Sequence, residues 1–255
     1  MVERITITIR KDLLRRVDSM IDGKKIKNRS HAIEHLLTGW SFVENGVILA
    51  GGSAKIGGKS IHKALIELGG IPIIDRQIKL LKNSGVRNII VSTDSQKVKA
   101  HLDESVKCIL EKTPLGSAGP LKLTKINGTF IVINVDTLLD LDIASIVDFH
   151  RKQATSATVM LSTTNKPSSF GVVRMRGNQV TEFVEKPKIK EARLFNAGVY
   201  VFEPSVLQRI SGRMMIEQLF TELARERQLS GFVYDGPVVD VGTQEGYLNA
   251  KKLSL

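Results

Sequence analysis

Thr129-Phe-Ile-Val-Ile-Asn-Val-Asp136 is an apolar run that stops at a carboxylate, and its reading decides the fold of this chain. A buried strand ending in this way is how α/β proteins place charge at a sheet edge, where ligands bind. A second run, Pro237-Val-Val-Asp240, ends in the same manner and is followed by Val241-Gly242-Thr243. Asp136 and Asp240 therefore suggest a shared magnesium site. Earlier in the chain lie a glycine-rich turn, Leu49-Ala-Gly-Gly-Ser53, and a lysine, Lys63. Glycines, a lysine and two carboxylates are the parts needed to handle a nucleoside triphosphate with a divalent metal.

Working outward from that run, strands are expected at 47–51, 88–92, 107–110 and 129–134, and helical stretches at about 72–83, 95–101 and 117–125. Near-continuous apolar strands joined by helices imply an α/β domain, a Rossmann-like, mostly parallel sheet with helices on both faces. From Thr158 to Phe202 strand outweighs helix, and antiparallel strands are expected there. This domain is assigned residues 46–255.

Composition sets the outer bounds. The chain has 255 residues, 42% apolar and 25% charged, which is ordinary for a soluble globular protein. No apolar run is long enough for a membrane span, and the first residues carry no signal-peptide stretch. The single cysteine, Cys108, has no internal partner for a disulfide, and a cytoplasmic location is expected. A formal charge of +11 points to an anionic partner, which nucleotides, sugar phosphates and DNA would all satisfy.

Residues 1–42 differ in kind. Arg4-Ile-Thr-Ile-Thr-Ile9 alternates strictly, with Ile5, Ile7 and Ile9 on one face and Arg4, Thr6 and Thr8 on the other. Leu13, Leu14, Val17, Met20 and Ile21 follow at helical spacing, with Gly23 as the expected stop. Asn28 is a good N-cap for a second helix carrying Ile33, Leu36, Leu37 and Trp40. His31 and His35 stand four apart, but no third metal ligand lies nearby, which favours a surface pair.

This strand–helix–turn–helix pattern, with Asn28-Arg-Ser30 opening the second helix, resembles the ribbon-helix-helix family of DNA-binding domains. The resemblance implies a homodimer paired through the N-terminal strand, whose ribbon enters the major groove of double-stranded DNA. Arg4, Thr6 and Thr8 would read bases, and Asn28, Arg29 and Ser30 would hold a phosphate at the helix N-terminus. Lys and Arg outnumber Asp and Glu by nine to five in residues 1–42, so a dimerising arm with solvated charges is the plain alternative.

The larger domain resembles the nucleotidyltransferases that make nucleotide-sugars from a nucleoside triphosphate and a sugar 1-phosphate. The matching pieces are Val47-Ile-Leu-Ala-Gly-Gly52, His62-Lys-Ala-Leu65, Gly70-Ile-Pro72, Pro114-Leu-Gly-Ser-Ala-Gly119, Phe130 to Asp136, Phe183-Val-Glu-Lys-Pro187, Asn196-Ala-Gly-Val-Tyr200 and Asp240-Val-Gly-Thr243. The resemblance implies the nucleotidyltransferase fold and a set of roles. Gly51 and Gly52 would line the nucleotide, Gly116 and Ser117 its base, and Lys63 the phosphates. Asp136 and Asp240 would hold Mg²⁺. Glu185 would bind a sugar hydroxyl, Lys186 the sugar phosphate, and Asn196 and Gly198 would pack on the sugar. Lys63, Lys186 and Asp136 would carry the catalysis. Singly, each has a plainer reading: either aspartate as a helix cap, the lysines as solvated charges, Asn196-Ala-Gly198 as a turn.

Three departures fall on substrate contacts. The family's Gly-x-Gly-Thr-Arg loop becomes Gly52-Ser-Ala-Lys-Ile-Gly-Gly-Lys59, in which Lys55 or Ile56 replaces the arginine. Lysine keeps the charge and loses the bidentate fork. His62 replaces a proline, and Val135 replaces a glycine and adds bulk beside the substrate. Two functions follow as expectations: an active, divergent sugar-phosphate nucleotidyltransferase, or a transcription regulator whose degenerate catalytic domain senses a nucleotide or nucleotide-sugar.

Overall fold

The computed structural model describes residues 4–24, 26–39, 43–189, 191 and 193–253. The chain divides into two compact units, residues 1–42 and 43–255.

In the smaller unit, α1 (Lys11–Asp18) and α2 (Arg29–Gly39) bury Val17 and Ala32. Helix α1 ends well before Gly23, because Asp22 folds the chain back by accepting from the amides of Lys24 and Ile26. Asn28 caps α2 by accepting from the His31 amide at 2.9 Å. Arg29 grips Asp18 through two bonds of 2.6 and 2.9 Å, clamping the helices together. Residues 4–10 pair with no strand, although a strand was expected there. A β-ladder needs a neighbour to take its backbone groups, and among the described residues none pairs with this segment. Ile5 and Ile7 stand 70% and 51% exposed. Trp40, the linker residues 41 and 42 and the side chains of His35 and Leu37 lie outside the described residues.

The larger unit opens with β1 (Asn45–Leu49), the hairpins β2–β3 (Ser53–Ile56, Lys59–His62) and β4–β5 (Glu67–Leu68, Ile71–Pro72), and α3 (Ile73–Asn83). There follow β6 (Asn88–Thr93), α4 (Gln96–His101), β7 (Lys107–Leu110), β8 (Phe130–Asn134), β9 (Thr137–Leu139) and α5 (Ile143–Gln153). The remainder is β10 (Ala157–Thr164), β11 (Gly171–Arg176), β12 (Gln179–Glu185), β13 (Arg193–Phe202), α6 (Ile216–Arg225), β14 (Leu229–Val233), β15 (Val238–Asp240) and α7 (Gln244–Leu253). The helix expected at 117–125 is a short 3₁₀ turn, Gly119–Leu123, with Pro120 at its start.

Among the described residues nine strands form one sheet, in the order β10-β14-β12-β11-β13-β8-β1-β6-β7. Strands β8, β1, β6 and β7 are mutually parallel, but β13 joins β8 antiparallel, as do the pairs β11–β12 and β10–β13. The sheet is thus mixed rather than mostly parallel: crossover helices alternate with strands in its first half, and hairpin connections dominate beyond Thr158.

Side-chain alternation divides the apolar residues between the two faces. Ile48, Ile131, Ile133, Val199 and Val201 pack with α3, α5 and α7 on one side. Val47, Phe130, Val132, Tyr200 and Phe202 pack with α6 on the other. Both faces are therefore covered, which fixes register strongly: a one-residue slip would exchange the two sets. No helix among the described residues is long and apolar enough to cross a membrane.

One buried polar group sits under this packing. His150 of α5 is 2% exposed, with Nδ1 2.8 Å from Thr158 Oγ1 and Nε2 3.1 Å from Glu203 Oε1. Burial pulls its pKa down and outweighs the opposing pull of Glu203. The unfolded chain therefore binds the proton more readily, and the contribution is present above about pH 6.5 and lost as pH falls through the folded value. In urea unfolding, the stability advantage of the natural protein over His150→Gln should be larger at pH 7.5 than at pH 5.5.

Candidate active site

Strands β1, β6, β7 and β8 run in the same direction, so their C-terminal ends meet at one edge of the sheet. A cleft of about 370 Å³ opens there, lined among others by Gly51, Gly52, Lys63, Gly116, Ser117 and Asp136. Six of the positions singled out in the sequence thus share one wall system. Ser92, Asp94, Glu111, Asn134 and Val135 complete much of it.

The aspartates are joined by a small ladder. Asp136 directly precedes β9, which pairs antiparallel with β15 so that Thr137 lies opposite Asp240. The Val241 amide then donates to the Asp136 carbonyl at 2.9 Å. Neither aspartate takes the plainer role of a helix cap. Asp136 is followed by a strand, and α5 is capped by Asp142. Asp240 accepts from the Gly242 amide at 2.8 Å. A β-carbon on Gly242 would stand 2.9 Å from Asp136 Oδ2, 3.0 Å from Asp240 Oδ1 and 3.0 Å from Lys63 Cε. Both carboxylates and the lysine therefore surround one small space that glycine keeps open.

Lys63 Nζ lies 2.6 Å from Asp136 Oδ2. Burial works against the ammonium, but the attraction of Asp136 and Asp240 outweighs it and holds the lysine above its ordinary pKa. Burial and the neighbouring Asp136 push Asp240 above the usual carboxylate range, against the Gly242 amide and Lys63. Two crowded carboxylates want a cation. Among the described residues no cluster of three or more metal-ligating side chains occurs. A pair of aspartates suits Mg²⁺, which takes its remaining oxygens from phosphate and water.

The glycine turn departs from a loop. Gly52 adopts φ +82°, and its carbonyl accepts from the Lys63 amide at 3.1 Å. Between them β2 and β3 form a hairpin turned by Gly57 and Gly58 at φ +57° and +78°, the backbone sign of a two-residue primed turn. Lys55 pairs with Ser60 on this hairpin, is exposed, and does not line the cleft. Strand alternation turns Ala54 and Ile56 inward and Lys55, one of the two candidates for the triphosphate-gripping position, outward. The hairpin is tied at one end by the Gly57 amide to Gln244 Oε1, 2.8 Å. At its base His62 Nδ1 accepts from the Ala64 amide, so Nε2 carries the proton and donates to Asp94 Oδ1 at 2.9 Å. Burial opposes the charge on Asp94, but His62 and the Gly52 amide outweigh it and hold the carboxyl below its ordinary range. Val135 packs against the core and also lines the cleft, so the bulk it adds in place of glycine stands at the cleft wall.

At the other end of the cleft, Ser117 Oγ accepts from the Ile216 amide at 2.8 Å, satisfying the first turn of α6. Gly116 has φ +77°, and a β-carbon there would collide with the Met214 carbonyl. Glu111, which follows β7, accepts from Ser92 Oγ at 2.9 Å and from the Leu115 amide at 3.2 Å.

The remaining predicted residues form a row across the sheet. Glu185 faces Gly171 in the β11–β12 register, and Val172 faces Phe195, so Gly171 comes level with Asn196. Asn196 Oδ1 accepts from the Gly198 amide at 2.9 Å. A β-carbon on Gly198 would meet Thr137 Oγ1 and Asn134. Asn196 and Gly198 thus border the cleft through Asn134. Lys186 is 64% exposed, 3.4 Å from Glu185 Oε1, and held at φ +45° with its amide on the Phe170 carbonyl. Asp94, Glu111, Asn134 and Gly242 were not singled out in the sequence. Ser117→Ala should lower unfolding stability by about 1 kcal/mol through its lost cap, whereas Lys55→Ala should change it by less than about 0.5 kcal/mol; chemical denaturation of both variants checks this.

Comparison with known proteins places the larger unit in a family. Residues 45–255 match the family model described as Nucleotidyl transferase. The chain is 32% identical over 215 residues to "Probable mannose-1-phosphate guanylyltransferase 1" of Oryza sativa subsp. japonica, covering 77% of this chain and 60% of that one. It is 32% identical to the mannose-1-phosphate guanyltransferase of Aspergillus oryzae, covering 77% and 59%. The chain therefore spans about 60% of the length of these curated relatives. The crystal structure of HddC from Yersinia pseudotuberculosis superposes with a TM-score of 0.71 at 24% identity, covering 84% of this chain and 100% of that one, a likeness of fold. By the extent of its family match and the identity of its relatives, the chain belongs to the nucleotidyl transferase family.

Proposed function

We propose that the larger unit transfers a nucleoside monophosphate from a nucleoside triphosphate to a sugar 1-phosphate, releasing pyrophosphate, with Mg²⁺ held by Asp136 and Asp240. The observation that carries this reading is the convergence of Lys63, Asp136 and Asp240 around Gly242, beside a cleft floored by a glycine turn. The metal, when bound, neutralises phosphate oxygens and stabilises charge that builds during transfer.

The rest follows from the chain's own groups. An oxygen of the sugar phosphate attacks the α-phosphorus in line with the leaving pyrophosphate, and no covalent nucleophile is needed because that oxygen is already ionised. Bringing two anions together is the main obstacle. Lys63 opposes it at the α-phosphate and Lys186 at the acceptor phosphate, and fixed charges in a partly buried site act more strongly than in water. Glu185 and Asn196 orient the sugar, and Gly198 leaves room for it. Guanosine triphosphate and mannose 1-phosphate are the substrates to try first, given the relatives' names. Glu111 supports the base: a carboxylate only accepts, and the guanine edge offers two adjacent N–H donors, whereas the uracil edge offers one.

A second reading is a regulator that binds nucleotide without turnover. It is favoured by Lys55 lying outside the cleft, which leaves Lys63 as the only lysine or arginine lining it among the described residues. For residues 1–42 we propose a ribbon-helix-helix arm. Ile5 and Ile7 would bury against the same strand of a second copy, and Arg4, Thr6 and Thr8 would face DNA. Phosphate would be held by amides at Asn28 to Ser30, since Arg29 is engaged by Asp18.

A matrix of four triphosphates against phosphorylated sugars with Mg²⁺, read as pyrophosphate release, tests the enzyme. Turnover should appear for at least one pair and fall on the order of 10³-fold or more in Asp136→Ala and Asp240→Ala, which stay folded by circular dichroism. Retained activity in either variant refutes the metal assignment, and binding without turnover favours the sensor. For the arm, fluorescence anisotropy should show DNA affinity falling steeply between 50 and 200 mM salt; salt-insensitive or absent binding leaves only dimerisation.

A further inference from the structure

We infer that Asn134 turns its side-chain NH₂ into the cleft to donate to a bound nucleotide, and that Tyr200, held by Asn196, is the positioning residue that fixes this orientation. The inference rests on the nucleotide-binding reading of the cleft and adds a donor to it.

The chain of bonds starts at the backbone. The Gly198 amide donates to Asn196 at 2.9 Å, so the accepting end of that side chain is its oxygen. The other end, Nδ2, is therefore an NH₂, and it donates to the Tyr200 hydroxyl at 3.0 Å. Tyr200 is fully buried, and burial pushes its pKa far up, so the hydroxyl keeps its proton. That proton needs an acceptor, because leaving a buried donor unmade costs about 1–3 kcal/mol. Besides Asn196, the polar group at the Tyr200 oxygen among the described residues is the Asn134 amide, with Nδ2 assigned to the end 3.2 Å away.

An asparagine amide has nearly the same outline either way round, and the network decides which end is oxygen. With its NH₂ toward Tyr200, Asn134 would leave the hydroxyl with two donors and no acceptor. With its carbonyl toward Tyr200, every member of the chain from Gly198 to Asn134 is satisfied, and the NH₂ of Asn134 faces the cleft it lines. Gly198 keeps the place open, since a β-carbon there would stand 3.1 Å from the Asn134 amide and 3.3 Å from its β-carbon.

The chemistry of the cleft agrees. Its acidic walls, Asp94, Glu111 and Asp136, only accept hydrogen bonds. Phosphate and ribose are rich in acceptors, and Lys63 alone among the ionised side chains of the cleft donates to them. A fixed NH₂ next to Asp136 answers that shortage.

The test uses the whole chain with Mg²⁺ and each nucleoside triphosphate, without a sugar phosphate, so that binding is read apart from turnover. Calorimetry should show Asn134→Ala and Tyr200→Phe each weakening the best-bound triphosphate by about 3- to 10-fold, and the double variant no weaker than Asn134→Ala alone. In ¹⁵N-labelled natural protein, the side-chain NH₂ resonances lost in Asn134→Ala should shift when the triphosphate is added. That second readout stands even if Tyr200→Phe fails to fold. Resonances that do not move, or losses that add in the double variant, overturn the inference. Should the natural protein bind none of the four triphosphates, the nucleotide reading fails and this one with it; binding with an unmoved Asn134 sinks the relay alone.

Discussion

Everything at the sheet edge depends on one short pairing, β9 against β15, which lays Asp240 beside Asp136 from a point more than a hundred residues later in the chain. Two carboxylates do not approach willingly, and here they are held by backbone bonds rather than by mutual attraction. The ammonium of Lys63 offsets part of their repulsion, at 2.6 Å from Asp136. Gly242 then supplies the missing volume, because any larger residue would occupy the space both carboxylates face. The arrangement is thus imposed by the fold, with two carboxylates and one ammonium facing the same small space.

That fold was largely legible where burial and periodicity agree. The apolar runs near 47, 88, 107 and 129 became the four parallel strands, with boundaries shifted by no more than two residues. Asp136 and Asp240 could be paired from a distance because each ends an apolar run, a pattern with a physical cause. Glu111 ends the run Lys107–Leu110 in the same way and lines the same cleft, a third carboxylate carrying the same sequence signal.

Other parts were hidden for different reasons. Ile56-Gly-Gly-Lys59 is a two-residue hairpin turn between alternating strands, a short β-hairpin where the glycines alone suggest an open loop. Asn134 and Tyr200 lie 66 positions apart, and only the β8–β13 register brings them together. Sequence spacing carries no such information. In the smaller unit, alternation at residues 4–9 has the period of a strand, yet these residues join no ladder among the described residues, because alternation marks two faces without supplying a neighbour.

The hairpin bearing Gly57 and Gly58 is latched to Gln244, 187 positions downstream. That latch joins a turn near the start of the larger unit to α7. A contact of such sequence separation can form only after the long intervening stretch has been closed, so the hairpin reaches its final seat late in folding.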